Sequence, residues 1–186
     1  MVYIFEQNGD IVDRRGQAPQ GVPYIKLERM IPEPEAIPGH KNVLRANFDT
    51  GEVNFERVET LEGVRARVIA VIEAYDKSEA VNQFFVAGIP LWLDRDTRTS
   101  LARTITVDQE SGEASCSIWY QGPPPVEFKI PIEYALPMLD QLERYAKKTY
   151  NVTQSHIAAL YQLGTADDIE AYDYKAGYPD KLKFNF

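Results

Sequence analysis

IEYALPMLDQLERYAKKTYNVTQSHIAALYQL, from Ile132 to Leu163, is the stretch on which the fold turns. Apolar groups recur at Ala135, Leu139, Leu142, Ala146, Tyr150, Ile157, Leu160 and Leu163, the three-and-four spacing that lays one stripe along a helix face. A single helix over this range is about 46 Å long at 1.5 Å per residue, so other parts of the chain must cover the stripe. Pro137 falls near the first turn, where a missing amide costs little, although a start further upstream makes it a kink. Gly164 is placed to close the helix in a left-handed cap. Thr165-Ala166-Asp167-Asp168 has the shape of a capping box, with Asp for the usual Glu, and opens a short last helix before the tail GYPDKLKFNF.

The covers lie upstream. Two alternating strands, Ala114 to Tyr120 and Val126 to Ile130, are joined by the proline-rich Gln121 to Pro125. Asp94 or Asp96 can cap a helix that carries Leu101, Ala102 and Ile105 down to Asp108, and Ser111-Gly112 stops it. Phe84 to Val86 and Leu91 to Leu93 flank Ala87-Gly88-Ile89-Pro90 as a hairpin, after a short turn at Ser78. Leu61, Val64, Val68, Val71, Ile72 and Tyr75 share one face of an amphipathic helix.

Nearer the start the period is two. Val2 to Phe5 and Ile11-Val12 flank Asn8-Gly9, a type I′ hairpin signal, because that turn needs positive φ at both central residues. Tyr24 to Glu28 alternates like a half-buried strand. Ile31 to Gly39, IPEPEAIPG, has three prolines and can sustain neither ladder nor helix, so it reads as a linker or strap. Val43 to Phe48 and Val53 to Val58 bracket Asp49-Thr50-Gly51 as a second hairpin. The fold class that follows is α+β: short N-terminal β-hairpins in 1–58, then an antiparallel β/helix domain in 59–186 built on the long C-terminal helix.

Composition narrows the function classes. A chain of 186 residues with 44% hydrophobic content can build a real core. Its net charge of −8 disfavours a uniform polyanion-binding surface, so nucleic acid is not an expected partner. The lone Cys116 sits in an apolar strand pattern, excludes an intrachain disulfide or CxxC knuckle, and reads as a small buried hydrophobe. No run reaches the roughly 18 apolar residues of a membrane span, and no secretion leader opens the sequence. Asn151-Val152-Thr153 matches a glycosylation sequon but lies inside the helix pattern.

Several segments carry a family likeness. WLD-x3-R from Trp92 through Arg98 with Leu101 downstream, LERYA from Leu142, YNVT-x2-H from Tyr150 to His156, and IEAYDY-x2-GYP from Ile169 to Pro179 together resemble a domain of unknown function. That domain is met in bacteriophage and prophage proteins of gut bacteria, including tail-fibre and tail-assembly proteins. VLRANFDTGEV, from Val43 to Val53, also resembles short tail-associated segments that precede it. The resemblance implies a virion tail, or the host cytoplasm during assembly, with other tail proteins as partners. It supplies no catalytic, metal or cofactor residue.

Candidate sites follow from the residues themselves. His156 lacks a nucleophile or orienting carboxylate nearby and reads as a structural, hydrogen-bonded histidine; His40 reads as solvated. Asp167, Asp168, Glu170 and Asp173 offer oxygen ligands without an EF-hand spacing, and the dipole of a first turn accounts for two of them. Asp94 and Arg98 suit a cap with an ion pair across one turn, so Trp92, Asp94, Arg98 and His156 read as a structural motif. Tyr172, Tyr174 and Tyr178, with Val43, Phe48 and Phe55, are the candidate partner-binding residues, at the two ends of the chain. The expected function is a non-enzymatic tail-associated protein that docks on other virion proteins, or a tail-fibre assembly chaperone. The rival is a small hydrolase or sugar-binding enzyme with a cleft at Asp94, Asp96 and His156. An acidic mimic of nucleic acid is allowed by the charge alone.

Overall fold

The structure is a computed structural model that describes residues 1–120 and 122–185. By its internal contacts the chain divides into two units, Met1–Arg67 and Val68–Phe186.

In the first unit β1 (Val2–Gln7) is the middle strand of an antiparallel sheet, between β2 (Asp10–Arg15) and β3 (Tyr24–Leu27). Asn8 at φ 54° and Gly9 at φ 89° make the tight turn that the Asn-Gly pair predicts. Being central, β1 buries Val2, Ile4 and Phe5. The strap has no regular structure, but its carbonyls are used: Asn42 Nδ2 donates to Pro34 O at 2.8 Å and Arg57 Nη2 to Glu35 O at 3.3 Å. Those donors sit on a two-stranded ribbon, β4 (His40–Asn47) and β5 (Glu52–Glu59). The predicted strand through Phe48 ends one residue early. Asn47 Oδ1 accepts from the amides of Asp49 at 3.0 Å and Thr50 at 3.2 Å, which turns the chain and puts Phe48 in the bend.

Helix α1 (Leu61–Asp76) is capped by Thr60, whose hydroxyl accepts from Gly63 N at 3.1 Å and donates to Gly39 O at 3.0 Å. Gly39 and Gly63 meet backbone to backbone: a Cβ on Gly63 would stand 2.1 Å from Gly39 O, closer than any real contact. Val64, Val68 and Ile72 are buried as predicted, whereas Val71, assigned to the same face, is exposed.

The second unit takes in the latter part of α1 from Val68 and continues with α2 (Glu79–Asn82) and a hairpin of β6 (Phe84–Val86) and β7 (Ile89–Leu91). Here the sequence reading needs correction. The turn is two residues, Ala87 at φ 49° and Gly88 at φ 80°, so Ile89 and Pro90 belong to the returning strand and Trp92 and Leu93 lie beyond it. Pro90 is tolerated because β7 is an edge strand. After α3 (Arg95–Glu110), Ser111 caps the helix and Gly112 at φ 79° turns the chain away. β8 (Ser115–Tyr120) then pairs antiparallel with β9 (Val126–Pro131); of the loop between them, Gln121 falls outside the described residues.

Helix α4 (Ile132–Leu160) runs unbroken through Asn151, with Pro137 inside it, past the first turn. Its buried stripe differs from the predicted one in the second half. Ile132, Ala135, Met138, Leu139 and Leu142 continue through Tyr145, Thr149 and Thr153 to Leu160, and Tyr150 faces solvent. Apolarity is a poor guide there, because two threonines occupy the inward positions. Gly164 does not take the left-handed conformation either. The helix ends on short-range bonds, Gln162 N to Ala159 O at 2.9 Å and Leu163 N to Leu160 O at 3.3 Å, which satisfy the last carbonyls. In α5 (Ala166–Glu170) Thr165 caps as expected, accepting from Asp168 N at 3.1 Å.

The core of this unit gathers Phe84, Val86, Leu91 and Leu93, Ile105 of α3, Cys116, Ile118 and Ile130 of the β8/β9 ribbon, and the first half of the α4 stripe. Burial raises the Cys116 thiol pKa, in keeping with an inert core cysteine. The helix laid on α4 is α3. The predicted cover, α1, reaches this region through Tyr75, whose ring meets Tyr174 and Tyr178 edge-on. Unforeseen in the sequence is β10 (Lys183–Phe184), which pairs parallel to β6 and puts Phe184 against Phe84 at 6.1 Å between ring centroids. Phe184→Ala should therefore lower unfolding free energy by about 3 to 5 kcal/mol, measured by urea denaturation; a loss under about 1 kcal/mol would mean the tail strand is not part of the core.

Candidate functional site

His156 is held at both ring nitrogens. Nδ1 lies 2.8 Å from the Tyr172 hydroxyl and Nε2 lies 2.9 Å from Ala176 O. A carbonyl can only accept, so Nε2 carries a proton, and in the neutral ring Nδ1 accepts from Tyr172. Both nitrogens are thus used in fastening the segment after α5 to α4. The same segment engages Thr153, whose Oγ1 is 2.8 Å from the Tyr178 hydroxyl, and Tyr145, whose hydroxyl is 2.8 Å from Val81 O and 3.2 Å from Pro179 O. Burial pushes the Tyr145 and Tyr178 phenols above their ordinary pKa. Tyr172, Tyr174 and Tyr178, predicted to meet a partner, are half-buried, with Tyr174 edge-on to Tyr75.

The predicted Asp94–Arg98 pair separates. Asp94 caps α3, accepting from Thr97 N at 2.7 Å, and that backbone amide, with the Thr97 side chain and more weakly the Arg98 charge, holds its carboxyl below the ordinary pKa. Arg98 is buried and turns elsewhere: Nη1 donates to Leu93 O at 2.6 Å and Nε to Glu143 Oε1 of α4 at 2.8 Å. The residue that Arg98 needs lies 45 positions away, beyond the reach of local spacing. Asp94, Arg98 and Glu143 line a groove of about 650 Å³, together with Asp76, Lys147 and the exposed rings of Trp92 and Tyr150. Trp92, Leu93 and Asp94 also line an adjoining groove of about 500 Å³ that reaches Trp119. Asp96 and His156 line neither groove, so the three groups of the predicted hydrolytic cleft do not converge. Among the described residues no group of three His, Cys, Asp or Glu side chains is arranged to hold a metal ion. No helix among them is long and apolar enough to cross a membrane.

At the other end, Val43, Phe48 and Phe55 are each half-covered. They do not form one patch. The register pairs Val43 with Glu56 and Leu44 with Phe55, so Val43 and Phe55 lie on opposite faces of the ribbon, while Phe48 borders a small hollow with Glu6, Val22 and Pro23. His40 is exposed, with Nδ1 3.2 Å from Pro38 O.

Comparisons with protein-family models, curated proteins and solved structures return no match.

Two outcomes are expected of the groove wall. Glu143→Ala strips the buried Arg98 guanidinium of its carboxylate and should destabilise the protein by about 1 to 3 kcal/mol in denaturant titrations. Asp94→Ala should lower the melting temperature at pH 5 to 8. A carboxylate with a lowered folded pKa stabilises above its ordinary value of about 3.9 and loses that contribution as pH falls through the folded one. The melting-temperature gap between wild type and Asp94→Ala should accordingly close below about pH 4; a gap that stays constant to pH 2 contradicts the capping role.

Proposed function

We propose that this chain is a non-enzymatic docking protein of a phage or prophage tail apparatus, with residues 1–58 as the docking arm and 59–186 as the folded body. The observation that carries this reading is how little of the arm's apolar surface is covered. Its buried apolar side chains lie on β1, together with Pro19, while Val22, Tyr24 and Ile37 are exposed and Val43, Phe48 and Phe55 half-covered. The β4/β5 ribbon is a sheet of two strands with no further strand on either side among the described residues. A lone ribbon is marginal in water, and an open strand edge is a template for a strand from another chain. The family likeness supplies the setting, a tail or its assembly, and hence tail proteins as partners.

The test is light scattering on a sizing column, first of the protein alone and then mixed with tail proteins encoded beside it. A stable complex is expected, weakened by Phe48→Asp and by only one of Val43→Asp and Phe55→Asp, since those two face opposite ways. A protein that stays monomeric and binds none of them sinks the proposal. A complex that dissolves once the tail fibre has assembled marks the assembly-chaperone form of the same reading.

A further inference from the structure

We propose that the joined grooves running past Tyr150, Trp92 and Trp119 form a binding site for an oligosaccharide chain, which is held there without being cleaved. Both tryptophans of the chain are on this path, and they are 44% and 50% exposed, with Tyr150 at 55%. A large aromatic ring left in water forgoes much of its burial energy, so three along adjoining grooves, drawn from three separate stretches of the chain, call for a ligand that covers them. The two grooves adjoin, sharing Trp92, Leu93 and Asp94 in their walls.

The polar groups choose among ligands. Asp76 lines the larger groove, and its Oδ1 is buried with no hydrogen-bond partner among the described residues. A carboxylate left short of partners is costly, and Asp76 adds an acceptor to the groove wall. Lys147 and Arg95 border the same groove as donors, and Asp94 as an ionised acceptor. A sugar ring matches this set, since it has an apolar C–H face for a tryptophan and a rim of hydroxyls that both donate and accept. A proline-rich peptide also docks on aromatic grooves, but its prolines have no N–H to offer Asp76. Nucleic acid could stack on the rings, yet Asp76, Glu79, Asp94 and Glu143 line the path and would repel its phosphates.

Two of the lining carboxylates are already engaged, which is why retention rather than cleavage is proposed. Glycoside hydrolysis needs a protonated acid facing a second carboxylate across the bond. Asp94 is held ionised by the α3 amide it caps, and Glu143 is occupied by Arg98.

The full chain should be screened on a glycan array and titrated with chitohexaose, maltohexaose and cellohexaose, following tryptophan emission and heat. Saturable binding of at least one glycan with a shift in emission is expected, and the glycan should be recovered uncut. Trp92→Ala should weaken it by about tenfold or more, the scale of one good aromatic contact. Trp119→Ala and Tyr150→Ala alter exposed residues and serve even if the Trp92 variant fails to fold. Silence on the array, affinity untouched by all three ring variants, or binding of a proline-rich decapeptide in place of any glycan each overturns the proposal. The inference is independent of the docking arm: failure to bind tail proteins leaves it standing, and the reverse.

Discussion

Thr149 and Thr153 are almost fully buried on α4, and a hydroxyl taken out of water without a partner costs about 1 to 3 kcal/mol. Much of the second unit answers that constraint. Thr149 solves it inside the helix, giving its proton to Ala146 O at 2.9 Å. Thr153 instead pairs with the Tyr178 hydroxyl; His156, one turn further on, draws in Tyr172 and Ala176 O, and Tyr145 reaches Val81 O and Pro179 O. Three polar side chains on one helix face, Tyr145, Thr153 and His156, thus specify where the segment from Tyr172 to Pro179 must lie. Dispersion attraction is non-directional, whereas hydrogen bonds of this length also fix the direction of approach. The chain that follows is delivered to β6, where Phe184 closes the core.

The two halves of α4 therefore work by different chemistry. Up to Leu142 the helix is an ordinary apolar surface, covered by β6, β7, α3, β8 and β9. Beyond Tyr145 it is a polar lock. This division explains which parts of the fold were legible in the sequence. Alternating strands, the Asn8-Gly9 turn, the Thr165 cap and the first half of the α4 stripe follow from periodicity and local sterics, which act within a few residues. The inward turn of Thr149 and Thr153, the partner of Arg98 and the return of the tail to β6 depend on residues far away in sequence, and no local rule carries them. Gly39 and Gly63 form an intermediate case. Each reads locally as punctuation or as a weak point in a helix, yet their shared requirement is that two backbones touch.

The candidate grooves were legible only in part. Trp92, Asp94 and Arg98 stand out in the sequence as a compact motif, and Asp94 does the capping work that its position predicts. Nothing local connects them to Asp76, Trp119 or Tyr150. The three-and-four spacing places Tyr150 on the buried stripe, and its exposure follows from Thr149 beside it taking the inward position. A side chain that helical phase turns outward onto a groove is a different object from one lost in a core.

The tail strand has a kinetic consequence. Its pairing with β6 includes two bonds, Phe85 N donating to Leu182 O and Ala87 N to Phe184 O, both at 2.9 Å. Those protons are shielded only while the tail is seated, so their exchange with deuterium clocks its detachment rather than global unfolding. The amides of Phe85 and Ala87 thus serve as a native gauge of how often this small domain lets go of its own end.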